Sequence, residues 1–255
     1  MRNAASIRIT ALVLVVLFIC QCGPKVENLA IDPEFKKVPL NGSTILIGGI
    51  TSMVAKDRSA DIDTELGSQL FRDRMGVRLP AVNFIPVNVT REIIGDQEYW
   101  NFLENYNLTL MADGVAVQKL SNRFGGGPFY LALARLEAYT NWNSRGETKD
   151  STGAVLNKYL QSHRKLVAKF TLWKLDTYTQ VWSGQVTGVA TTTNNYPQRR
   201  DIDFSELGIL GDIFDAEEEA DRLEEERTYV YPDYPSFTWT SENLYNEFAK
   251  ALQKK

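Results

Sequence analysis

Few residues in this 255-residue chain have the types and spacing that chemistry needs. Thiol and imidazole groups are confined to Cys20, Cys22 and one histidine, His163. His163 lies between Ser162 and Arg164-Lys165 with no second histidine or nearby cysteine to join it. A surface histidine is expected there rather than a catalytic one. A soft-ligand metal centre needs several such groups together, so none is expected, and two cysteines make no disulfide framework. Asp57, Asp61, Asp63 and Glu65 lack the glycine and terminal glutamate of a calcium loop, and acids in a helix first turn explain them better. Glu217-Glu218-Glu219 and Glu224-Glu225-Glu226 read as a solvated face, with protein docking as the alternative. Gly48-Gly49 has no Lys-Ser/Thr at Walker spacing and no third glycine, so close backbone packing is expected instead of a phosphate loop. No nucleophile–base pair stands out. The prediction is a non-enzyme with no catalytic residues and no cofactor.

The N-terminus carries the sharpest signal. Arg2 and Arg8 precede an apolar run from Ile9 to Ile19. That is a charged region followed by an apolar region too short to span a bilayer, as in a secretory signal. Ile19-Cys20-Gln21-Cys22-Gly23 resembles a bacterial lipoprotein lipobox. The resemblance implies that residues 1–21 are removed and that Cys22 becomes the lipidated first residue; Cys20 is the alternative. Gln21 departs from the small residue usual there. Cleavage by ordinary signal peptidase and retention as an anchor are the other readings. With Gly23 rather than an acid after Cys22, the resemblance implies the outer membrane, periplasmic side. Net charge is −4 and pI about 5.3, which speaks against nucleic acid as a partner.

Residues 22–42 are polar with three prolines and read as a tether. From residue 43 onward a single α/β domain is expected, with a mixed sheet, packing helices and a C-terminal antiparallel hairpin. Ile45 to Ile50 is a continuous apolar run, as for a strand covered on both faces. The pattern predicts helices over 61–75, 91–105 and 110–124, and a short strand over 82–89 that Pro86 demotes to an edge. Phe129 to Tyr139 reads as a central strand and Asn141 to Gln161 as a polar connection. From Arg164 to Thr191, Leu166, Ala168, Phe170 and Leu172 alternate with Lys165, Lys169 and Thr171, which predicts a hairpin with the first set inward. Trp182, Val186 and Ala190 share one face of its return strand. Ser241 reads as the cap of a final helix. Residues 194–239 form an acidic and aromatic insertion, expected to be dispensable for folding over 215–239. Its rings, Tyr229, Tyr231, Tyr234, Phe237 and Trp239, are the first choice for a partner surface, because aromatics are enriched at interfaces.

Gly127-Pro128-Phe129-Tyr130-Leu131-Ala132-Leu133-Ala134-Arg135-Leu136-Glu137-Ala138-Tyr139 resembles the glycine-led apolar strand of the curli-secretion lipoprotein (CsgG-like) superfamily, which includes TolB-type N-terminal domains. Leu166 to Thr177 followed by Val181-Trp182-Ser183-Gly184 is similar to that group's alternating strand, Asp-Thr turn and Val-Trp-Ser-Gly return. The resemblance covers roughly residues 43–193 and 240–252. It implies a non-enzymatic, periplasm-facing lipoprotein that binds or assembles envelope components. An oligomeric secretion-channel or scaffold subunit is the alternative. The partner protein is unnamed by these residues, and pore formation is not carried over.

Overall fold

The computed structural model describes residues 26–54, 64–124, 127–153, 155–197 and 229–254. Cys20, Cys22 and the acidic run of residues 215–227 lie outside them. The described chain is an α/β fold around a six-stranded mixed sheet in the order β1-β6-β5-β4-β2-β3. In sequence these are β1 (Val26–Ile31), β2 (Thr44–Ser52), β3 (Asn83–Ile85), β4 (Phe129–Lys149), β5 (Val155–Lys174) and β6 (Thr179–Pro197). The helices are α1 (Pro33–Lys37), α2 (Thr64–Arg78), α3 (Val87–Ile94), α4 (Asp96–Thr109), α5 (Gly114–Phe124) and α6 (Phe237–Gln253). Within this fold, contacts gather into two compact units. The first comprises the chain through Tyr139, Leu166–Gly188 and residues from Ser241; the second comprises Thr140–Lys165 and Val189–Thr240.

In the first unit, β2 runs parallel to both β3 and β4. Ile45, Leu46 and Ile47 are at most 1% exposed, as a strand covered on both faces requires. The β2–β4 register shifts between Ile47 and Gly49, and Gly49 has φ +136°. A Cβ on Gly49 would stand 2.7 Å from the Tyr99 hydroxyl. Gly49 therefore lets α4 sit close to the sheet, and Gly48 lies against Leu131 and Leu133 of β4, the close packing expected of the pair. The predicted hairpin faces hold: Leu166, Ala168, Phe170, Leu172, Trp182, Val186 and Ala190 are all buried. Phe170 stacks on Phe248 of α6 at 4.3 Å between centroids, and Phe71 and Trp182 close around the same ring.

The fold departs from expectation where polar sequence forms regular structure. Residues 26–42 are no simple tether. Val26–Ile31 pairs antiparallel with β6 through Val26↔Val186 and Ile31↔Trp182, and Asp32 caps α1 by accepting from the N–H groups of Glu34 and Phe35. Residues 141–161 are no connection either. β4 continues to Lys149 and β5 begins at Val155, because strand pairing is satisfied by any backbone and needs no apolar side chain. Thr171 faces inward, 1% exposed, bonded to the Tyr106 hydroxyl at 3.0 Å and to the Trp173 indole N–H at 3.1 Å.

Pro86 ends β3 after three residues and starts α3, and Gly95 at φ +99° breaks the expected 91–105 helix in two. The last helix begins at Phe237, where Ser236 accepts from the Trp239 N–H at 3.1 Å. Ser241 lies within the helix, 4% exposed. On α6, Leu244, Phe248, Ala249 and Leu252 are buried, and Ala251 is half-buried.

At Gly188 a Cβ would meet the backbone N of Leu244 at 2.6 Å. Gly188→Ala is thus expected to lower stability by about 1–3 kcal/mol, the range for overpacking, as read from chemical denaturation. Phe170→Ala should cost about 3–5 kcal/mol, while Lys169→Ala, on the opposite face, should leave the denaturation midpoint nearly unchanged.

Candidate functional site

The second unit holds the residues singled out as a partner surface. Its sheet is made from β4, β5 and β6. Cross-strand side chains meet as antiparallel partners: Asn143 with Ser162 at 3.0 Å, Asn141 with Arg164 at 3.1 Å, and Gln161 with Thr193 at 3.2 Å. Residues alternate between its two faces, and the two faces differ.

One face carries the segment from Tyr229 to Ser236. This stretch is extended and broken by Pro232 and Pro235, so few of its backbone groups can be satisfied internally. Even-numbered side chains of β5 and β6 satisfy them instead. Ser162 Oγ donates to the Pro232 carbonyl at 2.6 Å, and Thr192 Oγ1 donates to the Asp233 carbonyl. Asn194 Nδ2 donates to the Val230 carbonyl at 3.0 Å. The Tyr196 hydroxyl donates to that same carbonyl at 2.7 Å and accepts from the Val230 N–H at 3.0 Å. The Tyr196 ring meets Tyr229 edge-on at 5.0 Å, and Lys158 Nζ lies 5.8 Å from the centre of the Tyr229 ring.

The five rings are therefore placed differently. Tyr231, Tyr234 and Trp239 are 39%, 41% and 42% exposed. Tyr229 and Phe237 are half-buried. Phe237 and Trp239 belong to the first turn of α6, so an excision of 215–239 would cut into that helix. The polar clamps were missed in the sequence, because a hydroxyl or amide that bonds a backbone group tens of residues away has no local pattern.

The other face carries His163. It is half-buried rather than a plain surface residue. Its Nε2 is 2.7 Å from Ser144 Oγ, its Nδ1 is 2.9 Å from Thr191 Oγ1, and its ring stacks on Trp142 at 4.7 Å. Ser144 Oγ is also 3.3 Å from Gln161 Oε1. The Ser–His contact has the geometry of a nucleophile and base, but the group behind the imidazole is a threonine hydroxyl. A hydroxyl stabilises an imidazolium far less than the buried carboxylate that activates a serine. Desolvation holds the His163 pKa below its ordinary value, so the neutral ring is favoured and joins the polar ladder. Among the described residues, no group of three or more His, Cys, Asp and Glu side chains is placed to hold a metal ion.

No family model matches the chain, and no curated protein matches it. Among solved structures, it is similar to the PelC dodecamer from Paraburkholderia phytofirmans at 8% identity and TM-score 0.30, over 64% of this chain and 80% of that chain. It is similar to the LpoB C-terminal domain from Salmonella enterica at 13% identity and TM-score 0.32, over 59% and 85%. It is similar to the lipoprotein GNA1162 from Neisseria meningitidis at 14% identity and TM-score 0.29, over 73% and 99%. Likeness this low assigns neither a family nor a function.

Because the Tyr196 hydroxyl bonds both backbone groups of Val230, Tyr196→Phe should free this part of the segment. Faster amide hydrogen exchange at Val230 is expected, at a cost of about 0.5–1.5 kcal/mol, that of an ordinary hydrogen bond, because the exposed Val230 keeps the Asn194 donor on its carbonyl, with global melting little changed. For His163 the folded pKa is depressed, so below the ordinary imidazole range the unfolded chain binds more protons than the folded one. Its contribution is present above that range and lost as pH falls through it. His163→Gln should flatten the acid side of the melting-temperature profile between about pH 7 and 5.

Proposed function

We propose that the chain is a lipid-anchored envelope protein without enzymatic activity, attached through Cys22 (Cys20 as the alternative) and facing the periplasm from the outer membrane. In this reading it binds or helps assemble envelope components, and a partner protein docks on the aromatic segment of Tyr229, Tyr231, Tyr234, Phe237 and Trp239. The observation that carries it is the N-terminal sequence: a charged start, a short apolar run and Cys20-Gln21-Cys22-Gly23. The resemblance of Gly127–Tyr139 and Leu166–Gly184 to the curli-secretion superfamily supports the same reading. So does the exposure of Tyr231 and Tyr234 on the clamped segment and of Trp239 on α6, since exposed rings on an ordered backbone give contact area at low entropic cost.

The alternative is a scaffold subunit that associates through strand edges. β4 pairs with β2 only as far as Leu136, and strand edges are templates for another chain. A membrane pore is not part of this reading. β4 and β5 are 21 and 20 residues long, enough to cross a bilayer. Yet the outer part of β4 alternates Asn141, Asn143, Arg145, Glu147 and Lys149 with Trp142, Ser144, Gly146 and Thr148, which leaves no apolar face for lipid.

Cys22→Ala should move the protein from the membrane to the soluble fraction and leave residues 1–21 attached, as read by fractionation and intact mass. Membrane retention of Cys22→Ala with release of Cys20→Ala would assign the lipid to Cys20. Retention of both variants would overturn the lipid anchor.

A further inference from the structure

The pairing of β4 with β2 ends at Ser52↔Leu136, but β4 runs on to Lys149. Its residues 140–149 belong to the second unit. Among the described residues, no strand pairs with them on the side away from β5. Alternate residues of an edge strand direct their N–H and C=O groups outward, as a template for another strand. Trp142, Asn143, Arg145, Glu147, Thr148 and Lys149 are exposed, so both faces of this edge meet solvent. Charges on an edge commonly block further pairing. Here Arg145, Glu147 and Lys149 share one face and alternate in sign. Such an order repels or attracts an incoming strand according to its register.

A second copy of the chain brings the same edge. A two-fold axis normal to the sheet sets the two β4 strands antiparallel and centres their register on one residue. Centring on Arg145 puts that cation opposite itself. Centring on Glu147 puts that acid opposite itself and Arg145 opposite Lys149. Like charges directly opposite are destabilising. Centring on Thr148 matches Glu147 with Lys149, but the strand ends at Lys149, so only residues 147–149 could pair. Centring on Gly146 uses residues 143–149. It sets Arg145 of each protomer opposite Glu147 of the other, Ser144 opposite Thr148, and Lys149 opposite the neutral Asn143. We propose that the outer edge of β4 pairs with the same edge of a second copy, antiparallel and centred on Gly146, so that one sheet continues across two protomers. Each Arg145 and Glu147 is then flanked by opposite charge both along its own strand and across the interface. This pairing rests on the scaffold reading above, to which it gives a partner and a register, and not on lipid at Cys22.

The test is sedimentation equilibrium of the purified full chain. A monomer–dimer equilibrium is expected between about 1 and 100 µM, since a single strand pair makes a small interface. Over the same range, amide exchange should slow at alternate residues of 141–149. Arg145→Glu alone and Glu147→Arg alone should each weaken the dimer at least about tenfold, because each sets like charges opposite at two places. An equimolar mixture of these two variants should restore dimers, and so should the chain carrying both substitutions. Mixing cannot rescue a folding defect, so its success separates pairing from stability. Lys149→Gln, opposite a neutral residue, should leave the dimer unchanged. A chain that stays monomeric throughout would overturn this proposal and the scaffold reading together. A dimer without slowed exchange in β4, or one that the single charge reversals leave intact, would overturn this pairing while association through another edge still stood. Failure of the mixture to restore dimers would overturn the register.

Discussion

The first unit depends on how closely α6 can seat against the central strands. Phe248 is fully buried and lies between Phe170 and Trp182, with Phe71 of α2 completing the ring cluster. Such a cluster combines large buried area with the offset and edge-on geometries that aromatic pairs favour. It works only at short range, and Gly188 sets that range by leaving no Cβ between β6 and the backbone of Leu244. Gly49 does the same for the opposite layer, where Tyr99 and Leu103 of α4 close on the sheet. Helices on both sides are thus positioned by missing side chains on the strands.

A second constraint is polar. Arg135 donates to the Asn107 carbonyl at 2.8 Å and to Glu137 at 2.9 Å, and Gln185 donates to the other Glu137 oxygen at 2.8 Å. These side chains are partly enclosed, so each charge needs its partner. Together they tie α4, β4 and β6. Thr171 plays the neutral version of that role beneath Tyr106, whose phenol pKa is pushed up by burial. The sheet surface under α4 is therefore fixed by directional bonds, whereas the α6 side is fixed by packing.

What was legible in the sequence follows from this division. Apolar period-two alternation exposed both faces of the β5–β6 hairpin, and the unbroken run at Ile45 revealed a doubly covered strand, because these signals come from burial itself. Pro86 signalled an interruption but not that a helix would start there. β1 and the outer half of β4 were invisible, since their strand character comes from pairing partners far away in sequence. Thr171 was misassigned for a similar reason: its parity was right for the outer face, but α4 covers that face and makes it interior. The aromatic segment was visible by composition. Its clamps at Ser162, Thr192, Asn194 and Tyr196 were not, because their partners lie about 35–70 residues along the chain.

The position of β1 has a mechanical consequence. Its first residue, Val26, pairs with Val186, and a bulge between Glu27 and Ala30 interrupts its pairing with β6. Asn28 within that interruption adopts φ +50°. Only three residues separate Cys22 from Val26, a reach of at most about 14 Å. Tension applied at the N-terminus would therefore enter the sheet at an edge strand whose pairing is interrupted. β1 would peel from β6 ahead of the buried strands, while the aromatic core stayed shut. In that sense the first strand is a mechanical fuse, placed between any pull on the N-terminus and the body of the fold.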